Sequence, residues 1–164
     1  MAWTMLGPAA GLRAAAGLLL LPAILSAQPA LEQSDIRTRF QAGQTALQAG
    51  RFAQAETEFR AALDSDPGLA EARVNLGLAL FLQGKYEQSI DELEQTVLAL
   101  PALPAAHLFL GLGHLKLGAS DQAIAALSRS LELEPANVEA HRALAACHLA
   151  KGDYASAVQE FQAA

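Results

Sequence analysis

Hydrophobic residues recur along most of the chain with the spacing of one face of an α-helix, and this pattern is interrupted at regular points. Two sets of helix-breaking residues repeat every 34 positions: Gly50, Gly84, Gly118 and Gly152, and Pro67, Pro101 and Pro135. One helical pattern runs from each glycine to the next proline, and another from each proline to the next glycine. Because glycine commonly ends a helix and proline commonly precedes one, each unit is predicted to be a hairpin of two helices.

The period places three units at residues 36–69, 70–103 and 104–137, and a partial unit at 138–164. Ser34 and Asp35 stand before the first unit and Asn137 before the fourth, and short polar side chains of this kind cap the free amides at a helix start. We therefore expect the first helix to begin directly behind Asp35, after a short linker at 28–35. Each hairpin leaves one side apolar, so stacking of successive units is needed to complete the core.

Three further positions recur within the units, and with the glycines and prolines they resemble the tetratricopeptide repeat. The first helix carries Gly43, Gly77, Gly111 or Ala145, and the second carries Ala55, Ser89, Ala123 or Ala157, followed four residues later by Phe59, Leu93, Leu127 or Phe161. The small residue lets the helices approach, and the large one fills the gap between them. The resemblance covers residues 36–164 and implies an all-α fold, a right-handed α-solenoid of stacked helix-turn-helix hairpins.

The first 27 residues have the layout of a secretory signal peptide. They contain a single charge at Arg13, an apolar run from Ala14 to Leu25, and the small pair Ser26 and Ala27. The run is 12 residues long, whereas a helix that crosses a bilayer needs about 20. We therefore expect cleavage after Ala27, a periplasmic or secreted location, and no stable membrane insertion of the mature chain.

Charge and cysteine content narrow the possible functions. The formal net charge is −6, and the eleven Lys and Arg residues are scattered, which argues against binding to nucleic acid. A lone cysteine, Cys147, cannot form an intrachain disulfide, and its alanine-rich surroundings predict a buried, unreactive thiol. The chain shows no pattern typical of an enzyme, and we expect neither catalysis nor a cofactor.

The four histidines, His107, His114, His141 and His148, are the residues most suggestive of chemistry. Each pair is seven residues apart, or about 10 Å along a helix, whereas zinc-binding histidines on one helix are usually three or four residues apart. They occupy the Trp and Tyr positions of the repeat that the chain resembles, so we interpret them as packing residues, with a metal or catalytic site as alternatives. Partly buried neutral rings should have pKa values below 6.5, and their stabilising effect should be lost as pH falls.

The resemblance implies that the first helices of the units line a concave groove. Helical spacing identifies the residues opposite the packing positions, and these form the predicted partner-binding groove: Phe40, Gln44, Leu47, Val74, Asn75, Leu78, Phe81, Leu108, Leu112, Leu115, Arg142 and Leu149. Most of them are apolar, so the first helices of units two and three are hydrophobic all round. Either a partner peptide covers this surface, or further repeats, a tighter superhelix or self-association do.

We therefore expect an exported scaffold that binds a partner peptide or protein in this groove. The alternative is that the chain is the N-terminal repeat region of a larger exported protein whose activity lies beyond residue 164. The sequence stops within the fourth hairpin and lacks a polar terminal helix, which favours a fragment or self-association through that end. The partner's identity does not follow from the sequence.

Overall fold

The computed structural model describes the backbone of residues 21–164 and the side chains of residues 33–164. This part of the chain is all-α and contains eight helices: α1 (Leu21–Gln48), α2 (Phe52–Ser65), α3 (Ala70–Leu82), α4 (Tyr86–Ala99), α5 (Pro104–Lys116), α6 (Ser120–Leu133), α7 (Val138–Ala150) and α8 (Tyr154–Ala163). From residue 36 onward they form four helical hairpins at the positions that the 34-residue period predicts. The predicted all-α helical solenoid is confirmed.

The beginning of α1 differs from the sequence prediction. Ser34 and Asp35 lie inside a helix that starts at Leu21, so they do not cap its first turn. The predicted linker at 28–35 is likewise helical, as part of α1. By its contacts the chain divides into two units, Met1–Asp35 and Ile36–Ala164. The predicted signal peptide lies outside the described residues, apart from the backbone of 21–27.

The turns within the hairpins depend on glycine. Gly50, Gly84, Gly118 and Gly152 have φ values between +70° and +77°, a left-handed conformation that side chains with a Cβ disfavour. In the second hairpin, the amide of Gly84 donates to the carbonyl of Phe81 at 2.9 Å and the amide of Lys85 donates to that of Leu80 at 3.0 Å. These bonds satisfy carbonyls that the end of α3 leaves free. The prediction that the glycines end the first helices is confirmed.

The helices stack in chain order from α2 to α8, and the first helices also contact one another, α3 with α5 and α5 with α7. Three apolar clusters run along the stack, and each crosses a boundary between hairpins. Phe59 of the first hairpin, for example, shares a cluster with Ala72 and Leu76 of the second. The core is therefore continuous along the solenoid. Among the described residues, no helix combines the length and hydropathy needed to cross a membrane.

Candidate binding groove

The residues of the predicted groove differ in how far solvent reaches them. Val74 and Leu108 are buried, with 8% and 9% of their surface exposed. Seven are half-buried: Phe40, Leu47, Asn75, Leu78, Phe81, Leu112 and Leu115. Three are exposed: Gln44, Arg142 and Leu149. The half-buried and exposed members are the part of the set that a partner could contact.

Val74 and Leu108 are buried because neighbouring first helices pack directly against each other. Val74 lies in a cluster with Ala106 and Leu110 of α5. Leu108 lies 34 residues later, at the same position of the next unit, in a cluster with Ala140 and Leu144 of α7. This packing accounts for part of the apolar surface of α3 and α5, since each has a neighbour on both sides. Helical spacing alone could not distinguish these two buried positions from the more exposed positions of the predicted groove.

The half-buried residues form a supported surface. The Phe81 ring lies 5.4 Å from the Tyr86 ring, and the Phe40 ring lies 5.9 Å from the Phe59 ring, both in tilted arrangements. Leu112 and Leu115 pack against the cluster that contains Leu108. Because the core already holds these side chains, a partner would meet them in place, with little ordering of its binding site required.

Charged side chains border this apolar surface. Glu71, Lys116, Glu139 and Arg142 are exposed. Arg142 occupies the position that Val74 and Leu108 hold in the second and third units, so the fourth unit places an exposed cation where those units have a buried apolar residue. The fourth unit therefore adds one positive charge to the predicted groove residues.

The four histidines are partly buried, and two of them make polar contacts with the turns before their helices. The Nε2–H group of His107 donates to the carbonyl oxygen of Pro101 at 3.0 Å, and that of His141 donates to Pro135 at 3.0 Å. Arg73 occupies the same position in the second unit, and its Nη2 donates to the carbonyl of Pro67 at 2.8 Å. In these three units, the side chain at this position therefore links the first helix to the proline turn that precedes it.

The same position also pairs with an acid on the second helix of its own unit. Nη1 of Arg39 lies 3.3 Å from Glu58, Nη1 of Arg73 lies 3.3 Å from Glu92, and Nδ1 of His141 lies 2.7 Å from Glu160, in each case 19 residues apart. In the third unit the residue at this spacing is Ala126. Sequence reasoning missed these pairs, although the recurring glutamates 19 positions after each cation were a usable signal.

The histidine pKa values move in opposite directions. Burial lowers the pKa of His114, and Glu94 partly offsets this effect. The hydrogen bond to Glu160 raises the pKa of His141 against the opposing effect of burial. The expectation of lowered values is therefore right for His114 and wrong for His141, because an ionised partner outweighs desolvation there. In the described residues, no three histidine, cysteine or acidic side chains are grouped closely enough to hold a metal ion.

Cys147 is buried on α7, as the sequence predicts. Burial raises the pKa of its thiol, which reduces the thiolate fraction that reacts with oxidants and alkylating agents.

Ion pairs also connect successive units. Oε2 of Glu56 accepts hydrogen bonds from Lys85 Nζ at 2.8 Å and from Gln83 Nε2 at 3.0 Å, which join the first hairpin to the second. Lys151 pairs with Asp121 and joins the fourth hairpin to the third. The bonds to Glu56 lower its pKa, although burial acts in the opposite direction.

Comparison with known proteins identifies the repeat. The family model described as tetratricopeptide repeat matches residues 40–107 and 108–164. A search of curated proteins found no significant match. The solved structures that are similar include MamA from Desulfovibrio magneticus RS-1, residues 41 to the end, with a TM-score of 0.73, 25% identity, and coverage of 77% of this chain and 72% of that one.

Two further structures extend the likeness. A crystal structure of MamA has a TM-score of 0.74 and 25% identity, over 87% of this chain and 81% of that one. TTC0263, a thermophilic protein with the same repeat from Thermus thermophilus, has a TM-score of 0.71 and 18% identity, over 78% and 72% of the two chains. The last comparison supports the fold alone.

Proposed function

The chain belongs to the tetratricopeptide repeat family, whose solenoids act as scaffolds for protein–protein interaction, and from this premise we propose that it is an exported scaffold that binds an amphipathic helix. The helix would lie along the first helices of the units. Its apolar stripe would contact Leu78, Phe81, Leu112 and Leu115, and an acidic side chain near one end would pair with Arg142. The proposed role is binding and not catalysis.

The observation that carries this proposal is the supported apolar surface of the second and third units. Leu78, Phe81, Leu112 and Leu115 remain half-buried even though neighbouring helices cover both sides of α3 and α5. Apolar groups fixed in place, with charged residues at the border, are the usual composition of a protein-binding surface. An extended basic peptide fits less well, because the neighbouring Arg142 would repel it.

The proposed export rests on residues 1–27 alone. A single positive charge, a 12-residue apolar run and a small pair before Gln28 match the signal that secretion requires. N-terminal sequencing of the protein recovered from the periplasm or medium should begin at Gln28. Retention of Met1 in a cytoplasmic fraction would contradict export and leave the proposed binding untouched. Self-association and the exclusion of nucleic acid stay predictions of the sequence.

Photocrosslinking provides the test of the groove. A photoreactive amino acid at Leu112 should crosslink a partner in cells, and one at Leu98 should not, since Leu98 lies on the second helix of its hairpin and is 84% exposed. The partner segment found in this way is then synthesised as a peptide, and its affinity for purified variants is measured.

Phe81→Asp is expected to weaken binding of that peptide by at least about tenfold, because burying a new charge against an apolar stripe is unfavourable. Leu98→Asp is the matched control and should bind as the wild type does. Circular dichroism confirms that both variants stay helical. Equal affinities for Phe81→Asp and wild type, or equal losses in both variants, would overturn the proposed groove.

A further inference from the structure

The two helices of the fourth hairpin are joined by a contact between His141 and Glu160 that favours a charged imidazole. His141 Nε2 lies 3.0 Å from the carbonyl oxygen of Pro135, and Nδ1 lies 2.7 Å from Glu160 Oε2. A carbonyl oxygen only accepts hydrogen bonds, so Nε2 carries a proton. An ionised carboxylate also only accepts, so Nδ1 carries a second proton. With Glu160 ionised, the arrangement favours an imidazolium, and its contact with Glu160 is then an ion pair.

The position of His141 is occupied by a different residue or lacks the glutamate partner in the other units. The first and second units place Arg39 and Arg73 there, each 3.3 Å from its glutamate. Arginine stays charged at every accessible pH, whereas a histidine changes charge between about pH 5 and 8. The third unit has His107 at this position, but Ala126 replaces the glutamate. Within the described hairpins, the fourth is therefore the one whose ion pair at this position can be switched by pH.

The charged groups around His141 leave Glu160 as its electrostatic partner. Helix α7 packs against α5, α6 and α8, and follows the turn that contains Glu134. The acids of these elements have partners of their own: Asp121 with Lys151, Glu132 with Arg129, Glu134 with Asn137, and Asp153 with His148. The remaining charged or titratable side chains of these elements are His107, His114 and Lys116 on α5 and Glu139, Arg142 and His148 on α7. Glu160 is the charged group that raises the pKa of His141.

The direction of the effect follows from this geometry. Because Glu160 raises the pKa of His141, the ion pair stabilises the folded hairpin fully at pH values below the ordinary histidine value of 6.5, and this stabilisation is lost as pH rises through the raised value.

We propose that the His141–Glu160 pair is a pH-dependent latch that holds α8 against α7 while the imidazole is charged and releases it when the ring loses a proton. The latch is independent of what the groove binds. At high pH the amides of α8 would open to solvent more often, while α2 to α6 stay closed, because the pairs in the first and second units rely on arginine.

Hydrogen exchange at pH 5.5 and 8.5, corrected for the intrinsic pH dependence of exchange, tests the latch. The amides of α8 should be about two- to five-fold more protected at the lower pH, the range that a partly exposed ion pair provides. The α4 amides serve as the internal reference. An NMR titration of the His141 ring supplies a direct second readout, and the ring should lose its proton above the ordinary histidine value of 6.5.

Three variants separate the latch from other pH effects. His141→Arg should keep α8 protected at both pH values, since it recreates the pair of the first and second units. Glu160→Gln should leave α8 open at both. His107→Gln, which removes a titratable ring that faces no acid, should retain the wild-type pH dependence.

A pH dependence of α8 protection that is unchanged in His141→Arg would overturn the proposal. So would a His141 ring that titrates no higher than the ordinary histidine value of 6.5. Circular dichroism checks the fold of each variant, and because His141→Arg preserves the charge, the proposal stays testable even if Glu160→Gln fails to fold.

Discussion

Gly77 of α3 lies directly against Leu93 of α4, and a Cβ atom on Gly77 would come within 2.7 Å of the Leu93 Cγ. Real Cβ atoms essentially never approach another atom this closely. The same relationship holds in the first and third units, where a Cβ on Gly43 would meet Phe59 at 2.6 Å and one on Gly111 would meet Leu127 at 2.6 Å. In these three hairpins the distance between the two helices therefore depends on the absence of a side chain at this position.

Gly77→Ala should destabilise the protein by about 1–2 kcal/mol, because the cost of overpacking exceeds the gain in helix propensity. Urea denaturation measures the change. The matched test is the same substitution in a Leu93→Ala background, where the space is empty and the added methyl should be neutral or stabilising. If Gly77→Ala destabilises both backgrounds equally, the close approach to Leu93 is not the cause.

Gly84→Ala should also destabilise the protein, by about 1 kcal/mol, but for a different reason. Nothing lies within 4 Å of the position where a Cβ would sit, and the φ value is +76°, so the loss comes from backbone strain alone. Gly84→Asn should retain more of the stability than Gly84→Ala, since asparagine tolerates the left-handed conformation better. Thermal unfolding of the two variants checks this order, and a larger loss for the asparagine variant would contradict it.

Glu56→Gln should lower the free energy of unfolding by about 0.5–1 kcal/mol near pH 7, because the bonds from Lys85 and Gln83 favour an ionised carboxylate. Since the pKa of Glu56 is lowered, its contribution is present above the ordinary value of 4.5 and is lost as pH falls through the lowered value. The difference between wild type and variant, followed by urea denaturation, should therefore shrink in acid.

Glu132→Gln is the control for that experiment. Its partner Arg129 lies on the same helix, and 45% and 63% of the Arg129 and Glu132 side chains are exposed. Such a pair contributes little, so this variant should unfold within about 0.5 kcal/mol of wild type. Comparable losses in the two variants would show that the connection between hairpins has no special value.

His114→Tyr should remove a loss of stability that the wild type suffers in mild acid. Burial lowers the pKa of His114, so its contribution is present above the ordinary value of 6.5 and is lost as pH falls below it. Urea midpoints at pH 7.5 and 5.5 should differ less in the tyrosine variant. The comparison is made in a His141→Arg background, because His141 has the opposite pH dependence and would mask the effect. An unchanged difference between the two midpoints would count against it.

The turns and one helix cap could be predicted from individual residues, because these features depend on residues close together in the chain. The period of Gly50, Gly84 and Gly118 located the turns, since a left-handed residue is required wherever the chain reverses in this way. Asn137 was identified as a cap, and its side chain accepts a hydrogen bond from the amide of Ala140 at 3.0 Å. Ser34 and Asp35 have the same kind of side chain but lie within α1, so a capping residue permits a helix start without enforcing one.

The predicted groove residues differ in burial, and this difference could not be predicted from the spacing along one helix. The sequence assigned Val74, Leu108 and Leu112 to one surface because they share a helical face, but the structure buries Val74 and Leu108 between first helices and leaves Leu112 half-open. The packing orientation between successive hairpins decides which of these residues are buried. The sequence of a single helix does not determine that orientation.

The sequence by itself determined the repeat, the all-α architecture and the small-to-large contacts within the first three hairpins, because these depend on residues close together in the chain. In the fourth hairpin the predicted filling residue, Phe161, is instead 51% exposed. The tertiary structure decided which apolar residues are buried and in which direction the pKa values of His114 and His141 move. Burial and charge pairing depend on neighbours brought from other helices, and the contrast between His114 beside the core and His141 beside Glu160 arises in that way.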